Sequence, residues 1–278
     1  MLRAVGRLVA SGRGPLLVAA GGPLLFACSA HAAPAPTTGA AVVVGVSNKP
    51  GLGFAVAERF ARGGHAVGII GRQQAALEDC KAAIMREVPG ARVEYCVCDA
   101  TDGDQVSAAF DGFKKLHGPC GALIYNLSCR PFPPTNVADV TPERLESDWR
   151  TGPYGALLCV QQVLPSMRER GEGTILFTGA SASLRGNARF GSFAVAKTGL
   201  RSLAQSLAKE VSAEGVHVAH VVIDSIVDMP VIHKFMPDAP KGRMLDPAAA
   251  ADFYWTLHTQ DRRCRSFEAD LRPLEAQF

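Results

Sequence analysis

The stretch "VVVGVSNKPGLGFAVAERFA", residues 42–61, decides how the chain folds. A β-branched run stops at Gly45, a short polar turn carries Gly51 and Gly53, and an apolar run of helical period follows. A strand that enters a glycine-rich turn and leaves it as a helix presents unpaired backbone N–H groups, the natural seat of a pyrophosphate. Glycine suits the turn because a side chain would hold the phosphate away from the backbone. Ser47, Asn48 and Lys49 add side-chain donors, and Leu52 stands between the last two glycines. The alternative reading is a tight strand-to-helix turn that carries no ligand.

Outward from this turn, short β-branched runs alternate with longer helical ones. Strands are expected at 41–46, 66–70, 92–98, 122–126, 173–179 and 216–223, with a last one around 265–271. Helices are expected at 53–64, 73–88, about 102–116, 190–213 and 247–257. A further helical run from Thr141 to Arg170 breaks near Gly152 and Pro153. Near-continuous apolar strands separated by helices imply a parallel sheet covered on both faces. The expected fold is therefore α/β: a Rossmann-like, doubly wound parallel sheet in three layers, α/β/α.

The 278 residues are 47% hydrophobic and 20% charged, enough for a sizeable core in one domain, placed at residues 41–278. Their formal charge of +3 comes from Arg3, Arg7 and Arg13, since residues 41–278 hold 26 basic and 26 acidic side chains. Nothing in that balance suggests nucleic acid or an anionic membrane surface as a partner. The eight cysteines form no CxxC pair and no metal-ligand spacing, so they read as reduced, small hydrophobes, and no metal site is expected. Residues 1–40 have the composition of a targeting segment and linker: arginine-bearing, free of acid, then apolar with a small-residue end. A mitochondrial address is expected, with the secretory pathway (the "AHA" at Ala30–Ala32) or the plastid as alternatives. Gly21, Gly22 and Pro23 interrupt the apolar run, which argues against a membrane span.

At the end of the second strand stands Arg72, where an acidic residue would accept the ribose hydroxyls of NAD. Arginine suits a 2′-phosphate instead, and Lys49 adds a second positive charge, so NADP is expected over NAD.

The glycine turn, "CDATD" at 98–102, "LIYN" at 123–126 and Lys197, in that order, resemble the short-chain dehydrogenase/reductase family over about residues 41–278. The resemblance implies a doubly wound dinucleotide-binding domain, a small-molecule substrate and a homo-oligomer, dimer or tetramer, formed through the helices near 154–170 and 190–213. It also implies that Asp99 and Ala100 flank the adenine, Asn126 shapes the nicotinamide end, and Lys197 holds the nicotinamide ribose while acidifying a tyrosine.

Departures from the family pattern fall on the catalytic residues. Gly45 and Gly51 are six residues apart, a spacing more like that of the divergent enoyl-reductase branch. The tyrosine four residues before the lysine is Phe193, and the alternative tyrosine, seven before it, is Phe190. Ser181 matches the expected serine within one place, with Ser183 as the fallback. The helix asparagine of the family tetrad aligns with Gly152, and the proline-glycine after the sixth strand with Asp224 and Ser225. The implied catalytic set is thus Ser181, Phe193 and Lys197, with Tyr154, Tyr125, His233 or a water held by Ser181 and Lys197 as substitute proton sources.

General acid catalysis contributes about 10²–10⁴-fold, so losing the tyrosine is costly without abolishing a reaction that draws its proton from water. The expected activity is an atypical NADP-dependent oxidoreduction of a carbonyl, hydroxyl or activated double bond. The alternative is a catalytically silent nucleotide-binding or accessory subunit of a mitochondrial complex. In either case the pocket should lie over the carboxyl ends of the strands, walled by residues 127–140 and 225–245.

Overall fold

The computed structural model describes residues 39–275 other than Asn48, Arg130 and Ala239. The targeting segment expected before residue 39 lies outside the described residues, as does Asn48. Seven strands form one parallel sheet: β1 (Ala40–Val44), β2 (Val67–Gly71), β3 (Val93–Val97), β4 (Cys120–Tyr125), β5 (Gly173–Thr178), β6 (Val216–Ile223) and β9 (Glu268–Leu271). Their spatial order is β3-β2-β1-β4-β5-β6-β9, so the chain reverses direction across the sheet between β1 and β4. In doubly wound folds, ligands bind in the crevice at such a reversal, outside the carboxyl ends of the strands.

Strand alternation builds the two cores. Ala41, Val43, Ile69 and Ile124 point to one face, under α1 (Leu52–Arg62), α2 (Gln74–Glu87) and α8 (Pro247–His258). Val42, Val44, Leu123 and Tyr125 point to the other, under α3 (Gly103–His117), α5 (Gly155–Arg170) and α6 (Gly191–Val211). The central strands are buried along their whole length because helices cover both faces, which is why they read as continuous apolar runs.

Between α4 (Pro142–Trp149) and α5, a single π-type turn at Arg150–Tyr154 kinks the helical run at Gly152, whose φ/ψ of −81°/−106° is not helical. The break expected near Gly152 and Pro153 is therefore a hinge between two packed helices. The segment after β6 holds more structure than its sequence suggests: β7 (Ile226–Val227) pairs with β8 (Met244–Leu245), and α7 (Pro230–Phe235) lies between them. Among the described residues no helix is long and apolar enough to cross a membrane, and no group of His, Cys, Asp or Glu side chains could hold a metal ion. The described cysteines are free thiols, and most are buried.

Candidate functional site

The glycine turn closes on the end of β4. Gly45 has φ +96°, and a Cβ there would stand 2.6 Å from the Leu127 nitrogen. A Cβ on Gly53 would stand 2.6 Å from the Gly45 carbonyl oxygen, which accepts a hydrogen bond from Asn126 Nδ2 at 3.1 Å. Backbone packing between β1, α1 and the β4 end thus already demands both glycines, and Asn126 is the clasp that joins them. Gly51 caps α1 without a side-chain hydrogen bond, and the first turn holds no acidic residue. The positive end of the helix dipole is left for an anion. Ser47 and Lys49 are exposed beside it, whereas the Leu52 side chain is buried in the core, so only its backbone N–H can serve a ligand. These residues fit a dinucleotide pyrophosphate.

At the end of β2, a Cβ on Gly71 would meet the Val46 carbonyl oxygen, so the strand ends hard against the turn. Arg72 follows, exposed. It lines a cleft of about 230 Å³ with Asp99, Thr101, Glu146, Arg150 and Thr151. Asp99 Oδ1 accepts hydrogen bonds from the Thr101 backbone and hydroxyl, both at 2.9 Å, which fixes the end of β3, and Ala100 beside it is buried. Sequence reasoning missed Arg150, which the kink carries over to the β3 end, where Nη2 donates to the Thr101 carbonyl at 3.2 Å. No local pattern could have found it, because its placement depends on the angle of the hinge.

Lys197 sits at the carboxyl end of β5. Its Nζ donates to the Thr178 carbonyl at 2.9 Å and lies 5.9 Å from the centroid of the Phe193 ring, with 3% of the residue exposed. Burial lowers its pKa to about 8. Cys129 is itself pushed up to about 11 by burial and stays a neutral thiol. Phe193 is half-buried on the same turn of α6, and the half-buried Phe190 packs edge-on against Phe132 at 6.1 Å.

Ser181 opens the 3₁₀ turn Ser181–Ser183 that follows β5, and it is half-buried. Ser183 is 1% exposed, and its hydroxyl accepts the Ala180 N–H at 3.1 Å, which makes it part of the turn's own structure.

The three side chains expected as substitute proton sources, Tyr125, Tyr154 and His233, are tied elsewhere. Tyr125 is fully buried, donates to the Thr151 carbonyl at 2.7 Å, and has its pKa raised well above the usual tyrosine range by burial. Tyr154 lies against the Trp149 ring and the Arg150 guanidinium and borders the groove lined by Asp99, Asp104 and Gln105. His233 is held by Asp228 at 2.6 Å on α7. At the tetrad asparagine's position there is no room for a side chain: a Cβ on Gly152 would stand 2.9 Å from the Ala196 carbonyl oxygen. Asp224, in the place of the family proline, pairs with Arg272 at 2.9 Å.

A family model for short chain dehydrogenases matches residues 39–233. The chain belongs to this family. A short-chain dehydrogenase from Rhodopseudomonas palustris is 30% identical and superposes over 84% of this chain and 98% of its own, with a TM-score of 0.69. The human dehydrogenase/reductase SDR family member 4 is 27% identical over 177 residues, which cover 64% of this chain and 63% of that relative. The chain thus spans under two thirds of the length of that curated relative. The NADPH-bound short-chain oxidoreductase of Pseudomonas aeruginosa PAO1 containing an atypical catalytic center shares the fold at 22% identity and a TM-score of 0.77, over 87% of this chain and 98% of its own.

Proposed function

We propose that the protein is an NADP-dependent oxidoreductase that reduces a carbonyl or activated double bond of a small molecule, or oxidises the matching hydroxyl. The observation that carries this reading is the alignment of three features along the carboxyl edge of β1, β4 and β5. These are the uncapped N-terminus of α1, the Asn126 clasp on Gly45, and the buried ammonium of Lys197. The α1 N–H groups, with Ser47 and Asn48, hold the pyrophosphate; Arg72 and Lys49 hold the 2′-phosphate; Asp99 and Ala100 border the adenine. Lys197 binds the nicotinamide ribose, and Ser181 orients the substrate oxygen. When bound, the reduced cofactor supplies the hydride. The NADPH held by the Pseudomonas relative supports the choice of NADP, as does the absence of an acidic residue at position 72.

Further readings belong to the same proposal: residues 1–40 as a mitochondrial targeting segment, and assembly into a homodimer or homotetramer through α5 and α6. Fluorescence titration with NADPH, followed by carbonyl and enone substrates, tests the activity. NADPH binding with turnover in either substrate class is expected. Binding without turnover in both would instead support the silent accessory subunit.

A further inference from the structure

We propose that His220 is a positioning residue of this site: its Nε2 accepts the proton of the Ser183 hydroxyl, and the resulting Glu268–His220–Ser183 chain of hydrogen bonds sets the turn that carries Ser181. The inference rests on the oxidoreductase reading above, in which Ser181 orients the substrate oxygen, and deepens it.

The chain starts at the last strand. Glu268 on β9 is bound bidentately by Arg201, with Nε at 2.6 Å and Nη2 at 2.9 Å, and Arg201 stands one helical turn beyond Lys197 on α6. That bridge holds the Glu268 carboxyl below the usual carboxylate range, so it stays ionised and can only accept hydrogen bonds. Its register partner on β6 is His220, whose Nδ1 lies 3.0 Å from Glu268 Oε2.

His220 is fully buried, and burial holds its pKa at about 4, so the ring is neutral near pH ~7. A neutral imidazole carries one ring proton, and the Glu268 carboxylate draws it to Nδ1. Nε2 is left as a bare acceptor, and among the described residues it has no hydrogen-bond partner. A buried acceptor left bare is costly, and folded chains supply it with a donor.

The Ser183 hydroxyl is placed to be that donor. A Cβ on Gly179, the first residue beyond β5, would collide with His220 Nε2 and stand 3.0 Å from Ser183 Oγ, so the two polar atoms border one small space that glycine leaves open. Ser183 is 1% exposed, and its oxygen already accepts the Ala180 N–H at 3.1 Å. Its own proton rotates about the Cβ–Oγ bond and has no other acceptor among the described residues.

Ser181 and Ser183 share one 3₁₀ turn, closed by Ser183 N–H on the Ala180 carbonyl at 2.8 Å and Leu184 N–H on the Ser181 carbonyl at 3.0 Å. On the α6 side, the Thr198 hydroxyl donates to the Ala182 carbonyl at 3.2 Å. His220 supplies the anchor on the sheet side, and Arg201 ties α6 to the same carboxylate. No proton leaves the chain of bonds; its work is to hold Ser181 in register with the helix that bears Lys197.

The test uses the full chain labelled with ¹⁵N-histidine, at about pH 7.5, above the ordinary histidine pKa of ~6.5, with the His220 resonances assigned through the backbone. A protonated Nδ1 and a bare, hydrogen-bonded Nε2 are expected, and Ser183→Ala should move the Nε2 signal toward that of a free acceptor while Nδ1 stays protonated. A proton on Nε2, or an Nε2 signal indifferent to Ser183→Ala, overturns the proposal. In parallel, Ser183→Ala should lower kcat for NADPH-dependent reduction by ~10–100-fold while its NADPH affinity changes less than about threefold, because misplacement of an orienting group costs rate before it costs cofactor binding. Undiminished kcat in that variant overturns the positioning role. Failure of the wild-type chain to bind NADPH would instead remove the cofactor reading beneath it, and the histidine resonances would still decide the hydrogen bond.

Discussion

Gly152 and Ala196 are in backbone contact: a Cβ at position 152 would meet the Ala196 carbonyl oxygen at 2.9 Å and its Cβ at 3.0 Å. The family's tetrad asparagine therefore has no seat here, because the α4–α5 hinge has closed onto α6. Gly152→Asn should destabilise the fold by ~1–3 kcal/mol through overpacking, without raising turnover. Urea or thermal melts beside a kinetic assay check this; an unchanged midpoint with increased kcat would show that the hinge is open.

Arg72 lines the cleft beyond the end of β2 with Asp99 and Thr101. Charge-assisted hydrogen bonds contribute ~1.5–3 kcal/mol, so Arg72→Glu should weaken NADPH binding by roughly 10–100-fold. NADH binding should change by less than about threefold, because NADH has no 2′-phosphate for the side chain to meet. Equal losses for both cofactors, measured by fluorescence titration, would argue against a phosphate contact.

Phe193→Tyr adds a hydroxyl on the turn that holds Lys197, without enlarging the ring. With that acid available, kcat near pH 7 should rise at least about tenfold. A variant no faster than wild type would mean that the ring is not directed at the reacting atoms.

Four buried histidines make the fold acid-labile. Burial holds the pKa of His258 at about 3 and that of His220 at about 4, and it lowers those of His217 and of His65, whose Nε2 lies 3.2 Å from that of His258. In the folded chain these rings stay neutral, while in the unfolded chain they take up protons below pH ~6.5. Their contribution is thus intact above that pH and is lost progressively as pH falls toward the folded values. At pH 4.5 the loss is on the order of 2 kcal/mol for His258 and the same for His220. Urea midpoints should fall from pH 7.5 to 5, and His258→Asn should flatten that dependence; a midpoint indifferent to pH would contradict the assignment.

Much of this architecture is legible in the sequence because its signals are local. The β1–α1 turn is marked by its glycines, and strands such as Cys120–Tyr125 and Val216–Ile223 are apolar throughout because both faces are covered. Even the last strand, Glu268–Leu271, falls inside the expected 265–271, shortened to the residues that pair with β6. The segment after β6 was illegible for an equally physical reason: two-residue strands such as Ile226–Val227 have no period to read.

At the site, side-chain direction was the hidden quantity. Tyr154 starts a helix next to the tetrad position, yet the π-type turn sends it to Trp149 and Arg150. Gly45 and Gly53 looked like an accommodation to a ligand, and packing against Leu127 and Asn126 already requires them. Cys129 carried no motif at all and became notable only when the fold placed its thiol beside Lys197.

If the uncapped α1 turn and Lys197 form one dinucleotide site, direct titration of the protein with NADPH reads it out. Saturable binding is expected, tighter for NADPH than for NADH and weakened by Arg72→Glu. No saturable binding of either nucleotide up to millimolar concentration would contradict it.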